Sequence, residues 1–437
     1  MKIKPWHQVV DLRPSLAKGE LHLKDFAADL HAVHEGKAIA DYLDPQVFFE
    51  LTYPTDNIIE LTHDVIGRLS GKNDKAVHVL SQTFGGGKTH SLVTLYHLAR
   101  AHGELDRKVA SVDAFLSGIK TPKNTAKVAI VGFDRLDAEV AIDSRSPDGE
   151  VRQFHFPWSH IAWQLAGEDG LKIIQTDSDT ERSISPSLEL FEKLFESVVA
   201  EGPVLILLDE VLMWARTMVD KDPEWEIRLR TFFQCLSVAA GNISSCCLVI
   251  SILATDVDKV ADQIGRRLET SLLDALNRVR EKSILPVKKE EVPEVLRRRL
   301  FTHESIVDRK SHKKIAKAVV DDIAKIDEDV RSKKNRYVEE YANTYPFHPD
   351  FIDVFQTNWV QMETFQRTRG VLRTITMALR VARDWDDSPF IGPRVLLSDP
   401  QGGSINGGGQ DLISAAEHDQ DDAKKAAWGS ILDKELQ

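Results

Sequence analysis

The sequence predicts an α/β fold, a parallel sheet with flanking helices, followed by an all-helical domain. Three observations carry this. Strand-length apolar runs alternate with helical patterns from residue 76 to about residue 290. Two of the runs, Val204-Leu205-Ile206-Leu207-Leu208 and Cys246 to Leu253, are almost wholly apolar, as strands buried on both faces of a sheet are. From about residue 290 the strand signals stop and only helical periodicity remains.

Residues 1–70 read as a mostly helical segment with loops at Arg13-Pro14 and Tyr53-Pro54-Thr55. Ile58, Ile59, Leu61, Val65, Ile66 and Leu69 form a helical stripe that ends at Gly71. Ala76-Val77-His78-Val79-Leu80 is the first strand. The run Ser81-Gln82-Thr83-Phe84-Gly85-Gly86-Gly87-Lys88-Thr89 follows it. Leu92, Leu95, Leu98 and Ala99 then recur at helical spacing, and Gly103 stops that helix. Strand, glycine loop and helix in this order are the layout of a phosphate-binding loop, in which backbone N–H groups and a helix N-terminus surround a polyphosphate. Lys88 would reach the β- and γ-phosphates and the Thr89 hydroxyl would bind Mg²⁺, so the expected ligands are ATP and Mg²⁺. Gly85, Gly86, Gly87, Lys88, Thr89 and His90 are the nucleotide-binding candidates, with His90 the one most open to a packing or capping role. One position departs from the usual pattern: Gln82 stands six residues before the lysine, where glycine is expected.

Val128 to Phe133 is a second buried strand, and 134–152, with Ser146-Pro147-Asp148-Gly149, reads as a hairpin or loop insertion. Trp158 to Leu165 is helical, 175–182 a polar loop. Ser185-Pro186 starts a helix, with Ser185 as cap and Phe191, Leu194, Phe195 and Val198 as its apolar face. The run 204–208 ends in Asp209-Glu210, at the sheet edge where α/β proteins bind ligands. Asp209 would hold Mg²⁺ through water, and Glu210 would polarise the water that attacks the γ-phosphate. A helix with Leu229, Phe232, Phe233 and Leu236 precedes the Cys246–Leu253 strand. Thr255 just past that strand, or Ser251 within it, is placed to sense the γ-phosphate; Thr255 suits a helix cap equally well. Residues 258–280 read as helix and 283–287 as a short strand. Tyr53 to Asn57, entering the first strand, are candidates for contact with the base.

In the second half, Ile315, Val319, Ile323 and Ile326 mark an amphipathic helix, and 327–336 reads as a charged linker. Tyr345-Pro346-Phe347-His348-Pro349 is a loop. The last strong helix buries Leu372, Ile375, Leu379 and Ala382 and sets Arg369, Arg373 and Arg380 on the opposite face. The expected divisions are an N-terminal segment 1–70, an α/β domain 71–290, a helical lid 291–395 and a flexible tail 396–437, which Gly402-Gly403 and Gly407-Gly408-Gly409 break.

A chain of 437 residues accommodates two or three domains. Its net charge of −12 argues against a surface coated for nonspecific nucleic-acid binding, although local patches remain open to it. Basic clusters stand at 297–299, at Arg309-Lys310 with Lys313-Lys314, and at 331–336. Cys235, Cys246 and Cys247 read as small core residues of a reducing compartment, and no Cys/His spacing suggests zinc. The start, Met1 to His7, lacks the apolar region of a signal peptide and no apolar run is long enough to span a bilayer, so the expected location is cytoplasmic with no membrane partner.

A P-loop NTPase α/β domain followed by a helical lid resembles the AAA+ family of ATPases over roughly residues 50–385. The resemblance rests on Gly85-Gly86-Gly87-Lys88-Thr89, Asp209-Glu210, Thr255, Arg278 and Arg280 at a helix end before a strand, and Gly370-Val371-Leu372-Arg373. It implies that Arg373 contacts the γ-phosphate of its own nucleotide and that Arg278 or Arg280 is the finger reaching a neighbour's ATP in a homo-oligomer. The interval from Lys88 to Asp209 is longer than in a compact AAA+ core, from an insertion between 134 and 185 or from a different strand order. Four phrases are similar to one bacterial group: Phe84 to His90, Leu207-Leu208-Asp209-Glu210, Tyr345 to Pro349, and Thr368 to Arg373. These are the large ATPases encoded beside adenine-specific DNA methyltransferases in phage-defence islands, in BREX-like and DISARM-like systems. The likeness implies a motor or switch in a DNA-directed antiviral complex, with DNA and a DNA methyltransferase among its partners. It also implies a longer protein of which this chain is the N-terminal piece. The expected activity is Mg²⁺-dependent ATP hydrolysis. The alternative is a nucleotide-gated scaffold with negligible turnover; a P-loop kinase is disfavoured by the paired Asp209-Glu210.

Overall fold

The computed structural model describes residues 3–80, 87–175, 181–252, 263–277, 281, 284–359, 368–399, 401 and 404–418. The chain divides into two compact units. An α/β unit comprises residues 28–50 and 54–287, and a helical unit takes 1–27, 51–53 and 288–437 within the described ranges. The segment expected to form one N-terminal piece, 1–70, is therefore shared between the two. Among the described residues no helix is long and apolar enough to cross a membrane.

The α/β unit is built on a four-stranded sheet of β1 (Val77–Leu80), β2 (Lys127–Gly132), β5 (Val204–Asp209) and β6 (Cys246–Ser251). The order is β1-β6-β5-β2 and every pairing is parallel. Two further strands, β3 (Ile142–Arg145) and β4 (Val151–Phe154), form the antiparallel hairpin expected in 134–152. The strand expected at 283–287 is reduced to a single parallel bridge from Ile284 to Leu80.

The uninterrupted apolar runs follow from this sheet. Along β5, Val204, Ile206 and Leu208 enter the core on one face, while Leu205 and Leu207 enter the core on the other. β6 divides the same way, with Cys246, Leu248 and Ile250 against Cys247 and Val249. Side chains alternate across a strand, so a strand buried on both faces needs an apolar residue at every position. One face is covered by α5 (Pro157–Ile174), α6 (Leu188–Val199), α7 (Val211–Lys221), α8 (Trp225–Asn242) and α9 (Gln263–Leu276). The other is covered by α1 (Leu30–His34), α2 (Asp56–Leu69), α3 (Lys88–Ala101) and α4 (Ala110–Leu116). The helix expected to start at Ser185-Pro186 begins two residues later, at Leu188 with Ser187 as cap.

The helical unit packs α10 (Val292–Leu300), α11 (Arg309–Ile323), α12 (Glu328–Ser332), α13 (Lys334–Thr344), α14 (Thr368–Ala382) and α15 (Gly407–His418). Two expectations are overturned here. The stretch 327–336 is not a linker: the Asp327 carboxylate accepts from Val330 N and caps α12, and α13 follows at once. The tail expected to be flexible from 396 includes α15, and Val395, Leu396 and Leu412 are buried in the unit's core. The triglycine that reads as a break serves close packing instead. Buried Asn406 accepts from the Gly408 and Gly409 amides at 3.0 and 3.1 Å and donates to the carbonyls of Val395 and Leu397. A Cβ on Gly408 would stand 2.5 Å from the Thr374 carbonyl oxygen and 2.8 Å from the Ala378 nitrogen.

Gly408→Ala is therefore expected to separate α14 from α15 and to lower stability by about 1–3 kcal/mol in denaturant or thermal melts. Gly103→Ala, where a Cβ meets nothing within 4 Å, is the neutral comparison.

Candidate functional site

Parallel strands bring their carboxyl ends to one edge of the sheet, and that edge collects the polar residues. Past β1, Gly87 lies at φ 85° and ψ 13°, the left-handed region that suits glycine, and caps α3. The first bond of that helix runs from Ser91 N to Gly87 O at 2.8 Å, so the amides of Lys88, Thr89 and His90 precede the helical ladder. The Thr89 hydroxyl donates to Asp209 Oδ2 at 2.9 Å. This contact joins the glycine-loop helix to the end of β5 across the intervening β6.

Charge at this edge is held against the cost of burial. Lys88 is 7% exposed, and burial pulls its ammonium below the ordinary lysine range, opposed by the carboxylates of Asp209 and Glu210. Asp209 is 6% exposed, and burial, then the neighbouring Glu210, push its carboxyl up to about 6. The Thr89 hydrogen bond opposes that shift. So does the Ser251 hydroxyl, which lies beside Asp209 without meeting hydrogen-bond geometry. Ser251 is the last residue of β6, fully buried, and one of the two expected sensing positions.

Glu210 stands at φ 53° and ψ 42° and forms the N-cap of α7. A non-glycine residue there carries roughly 1–2 kcal/mol of strain. Its amide donates to Asp209 Oδ1 at 3.1 Å, so the tight turn aims successive carboxylates from the strand end. A third acid, missed in the sequence, completes the edge. Gly132 pairs with Asp209 in register, and Asp134 follows it past the end of β2. Burial, then Glu210, push the Asp134 carboxyl up to about 6. Its side chain keeps 39% of its exposure, so solvent screens it more than Asp209. The available signal was its position one residue after an apolar strand whose parallel neighbour ends in Asp209-Glu210.

Among the described residues no three His, Cys, Asp or Glu side chains are grouped to hold a metal. The hard oxygen donors brought together here are the Thr89 hydroxyl and the Asp209 carboxylate, a set suited to a cation that takes its remaining ligands from phosphate and water.

The other expected site residues are distributed as follows. Gly85, Gly86, Thr255, Arg278 and Arg280 lie outside the described residues. The His90 ring stacks obliquely on Phe48 at 4.6 Å and meets Tyr42 edge-on at 6.4 Å. Its side chain thus packs into the aromatic group beneath α3. Thr55 caps α2 and donates to the Pro286 carbonyl at 2.6 Å, and Asn57 donates to the Leu285 carbonyl at 2.7 Å. Arg373 belongs to the helical unit. Its guanidinium pairs with both Asp411 oxygens, at 2.8 and 2.9 Å, and donates to the Leu21 carbonyl. Arg380 donates to the carbonyls of Leu16, Lys18 and Gly19, so the arginine face of α14 holds the N-terminal segment.

The Asp209 shift sets a pH dependence. Its folded pKa lies above the ordinary aspartate value of 3.8, so its contribution to stability is present below that value and is lost as pH rises through about 6. Ligand-free Asp209→Asn is therefore expected to melt above wild type at pH 7.5, by the order of 2 kcal/mol, with the gap closing toward pH 5. Melting curves at both pH values check this; a gap that widens on acidification would contradict it.

Comparison with known proteins places a boundary near residue 287, as the structure does, but assigns residues 7–27 and 51–53 to the first domain. A family model described as the DUF499 N-terminal domain matches residues 7–284, and one described as the DUF499 second domain matches residues 287–399. No curated protein and no solved structure matches the chain. Matched through both domains in order, the chain belongs to the DUF499 family.

Proposed function

We propose that this chain binds a nucleoside triphosphate with Mg²⁺ at the β1–β5 edge and hydrolyses it, as a P-loop ATPase of the AAA+ type. The observation that carries the reading is the Thr89–Asp209 contact at 2.9 Å, between a helix led by a left-handed glycine and the acidic end of a neighbouring buried strand. Two further features support it. β6 lies between the glycine-loop strand β1 and the acidic strand β5 and ends in Ser251, which puts a polar residue between the two halves of the site. Lys88 and Asp209 are both buried charges, arranged as a polyphosphate and its cation would require.

In this reading the phosphates lie on the amides of Lys88, Thr89 and His90 at the α3 N-terminus, with Lys88 Nζ against the terminal phosphates. The Thr89 hydroxyl and, through water, Asp209 hold Mg²⁺, which when bound neutralises charge on the phosphate oxygens. Glu210 accepts the proton of the attacking water as its oxygen bonds to the γ-phosphorus, and the products are the diphosphate and inorganic phosphate. Gly85 and Gly86 are further phosphate-binding candidates, Thr255 or Ser251 senses the γ-phosphate, and Arg278 or Arg280 serves as a finger toward a second copy. Arg373 senses the γ-phosphate once released from Asp411. The resemblance of Thr368 to Arg373 and of Tyr345 to Pro349 to the defence-island ATPases supports a role as motor or switch of a DNA-directed antiviral complex.

The bidentate Arg373–Asp411 clasp favours a second reading, a nucleotide-held scaffold whose turnover awaits a partner. Steady-state ATP hydrolysis and equilibrium ATP binding, each against protein concentration, decide between them. For the hydrolase, Glu210→Gln keeps binding and lowers kcat about 10²–10⁴-fold, and Lys88→Ala loses binding. Wild type that binds ATP but turns over no faster than Glu210→Gln leaves the scaffold. Wild type that binds no nucleotide at millimolar concentration ends both readings.

A further inference from the structure

We propose that the groove between α8 and α9 is a binding site for the phosphodiester backbone of a nucleic acid. The groove is open, about 440 Å³, and is lined by Arg230 of α8 and by Arg266, Arg267, Thr270, Ser271 and Asp274 of α9. Three arginines thus line it from two helices that β6 separates in the chain. A guanidinium presents planar, bidentate donors that match phosphate oxygens, and the Ser271 hydroxyl adds another donor of the kind phosphate contacts use. The open form suits an extended backbone lying across it, whereas small molecules favour enclosed, mostly apolar pockets.

Arg267 is 60% exposed and its ion pair with Glu226, at 2.7 Å, is of the surface type worth little. Such a pair exchanges readily for a phosphate. Asp274 is two turns along α9 from Arg267 and accepts the Asn277 amide at 2.9 Å. The basic runs that stand out in the sequence are paired as well. Arg297 is fully buried and bonded to Glu294 and the Asn343 carbonyl. Arg309 pairs with Glu294, Lys313 with Glu339, Arg331 with Glu328, Lys333 with Asp329 and Lys334 with Asp321. Those are surface pairs too, so what sets the groove apart is that its arginines come from two helices and line one opening. In a chain of net charge −12, a local arginine groove draws a polyanion to one place rather than over the whole surface.

The test is fluorescence anisotropy of the 437-residue chain with labelled single-stranded and duplex DNA, from about 50 to about 200 mM salt. The triple variant Arg230→Ala, Arg266→Ala, Arg267→Ala should lose about 30-fold in affinity at the low-salt end. Its log K against log salt slope should fall by about three, for every DNA sequence. The corresponding triple Lys variant should regain most of the binding, and Lys310→Ala with Lys314→Ala should leave it unchanged. Whichever DNA form shows the larger loss is the form the groove takes. Circular dichroism melts confirm that the exposed substitutions leave the fold intact. The proposal fails if wild type binds neither form with a salt dependence, if the triple Ala variant binds as wild type does, or if its only defect is in self-association.

Discussion

The constraint on which the rest depends is that β5 is buried on both faces. Between β2 and β6, with cores above and below, no residue from Val204 to Leu208 can be polar without an unmet hydrogen bond. Function can enter only where the strand leaves the core, and there the chain changes abruptly from five apolar residues to two acids. β1 ends the strand order and holds the buried His78, and because all four strands run parallel their ends meet at one edge. The site is a by-product of topology: a sheet of this kind has one rim where charge is affordable.

At that rim the local rules are broken together. A buried lysine, a buried aspartate, a buried hydroxyl without a hydrogen bond and a glutamate in left-handed conformation all fall between the ends of β1 and β5. Each is unfavourable for stability alone. Their concentration in one place is what a site under chemical rather than structural selection looks like. The shifts of Lys88 and Asp209 share their largest cause, removal from water, and at Asp209 the neighbouring Glu210 carboxylate adds to it.

What could be read from the sequence was whatever depended on neighbours along the chain. The buried strands, the glycine-led helix and the acidic strand end are local patterns, and their meeting follows from parallel pairing. Asp134 was missed because its importance depends on register with Asp209, which no local pattern encodes. The arginine groove was missed for the same reason: Arg230 lies on one helix and Arg266 and Arg267 on another. The charged stretch 327–336 read as a linker because its composition is polar, yet Asp327 capping turns it into helix. The glycines at 407–409 read as a break because glycine is more often chosen for freedom than for the absence of a side chain. Here Thr374 and Ala378 demand that absence.

The packing of α15 on α14 bears on where this module ends. The second family model stops at residue 399, but the physical unit does not. Asp411 supplies the counter-charge of Arg373 and accepts from Thr374, Gly408 touches the backbone of α14, and Leu412 lies in the core. A fragment cut at the family boundary would keep the arginine and lose its anion, and would open an apolar face to water. Sequence similarity has here outlined the recurring part of the domain and left out a helix that packs into its core.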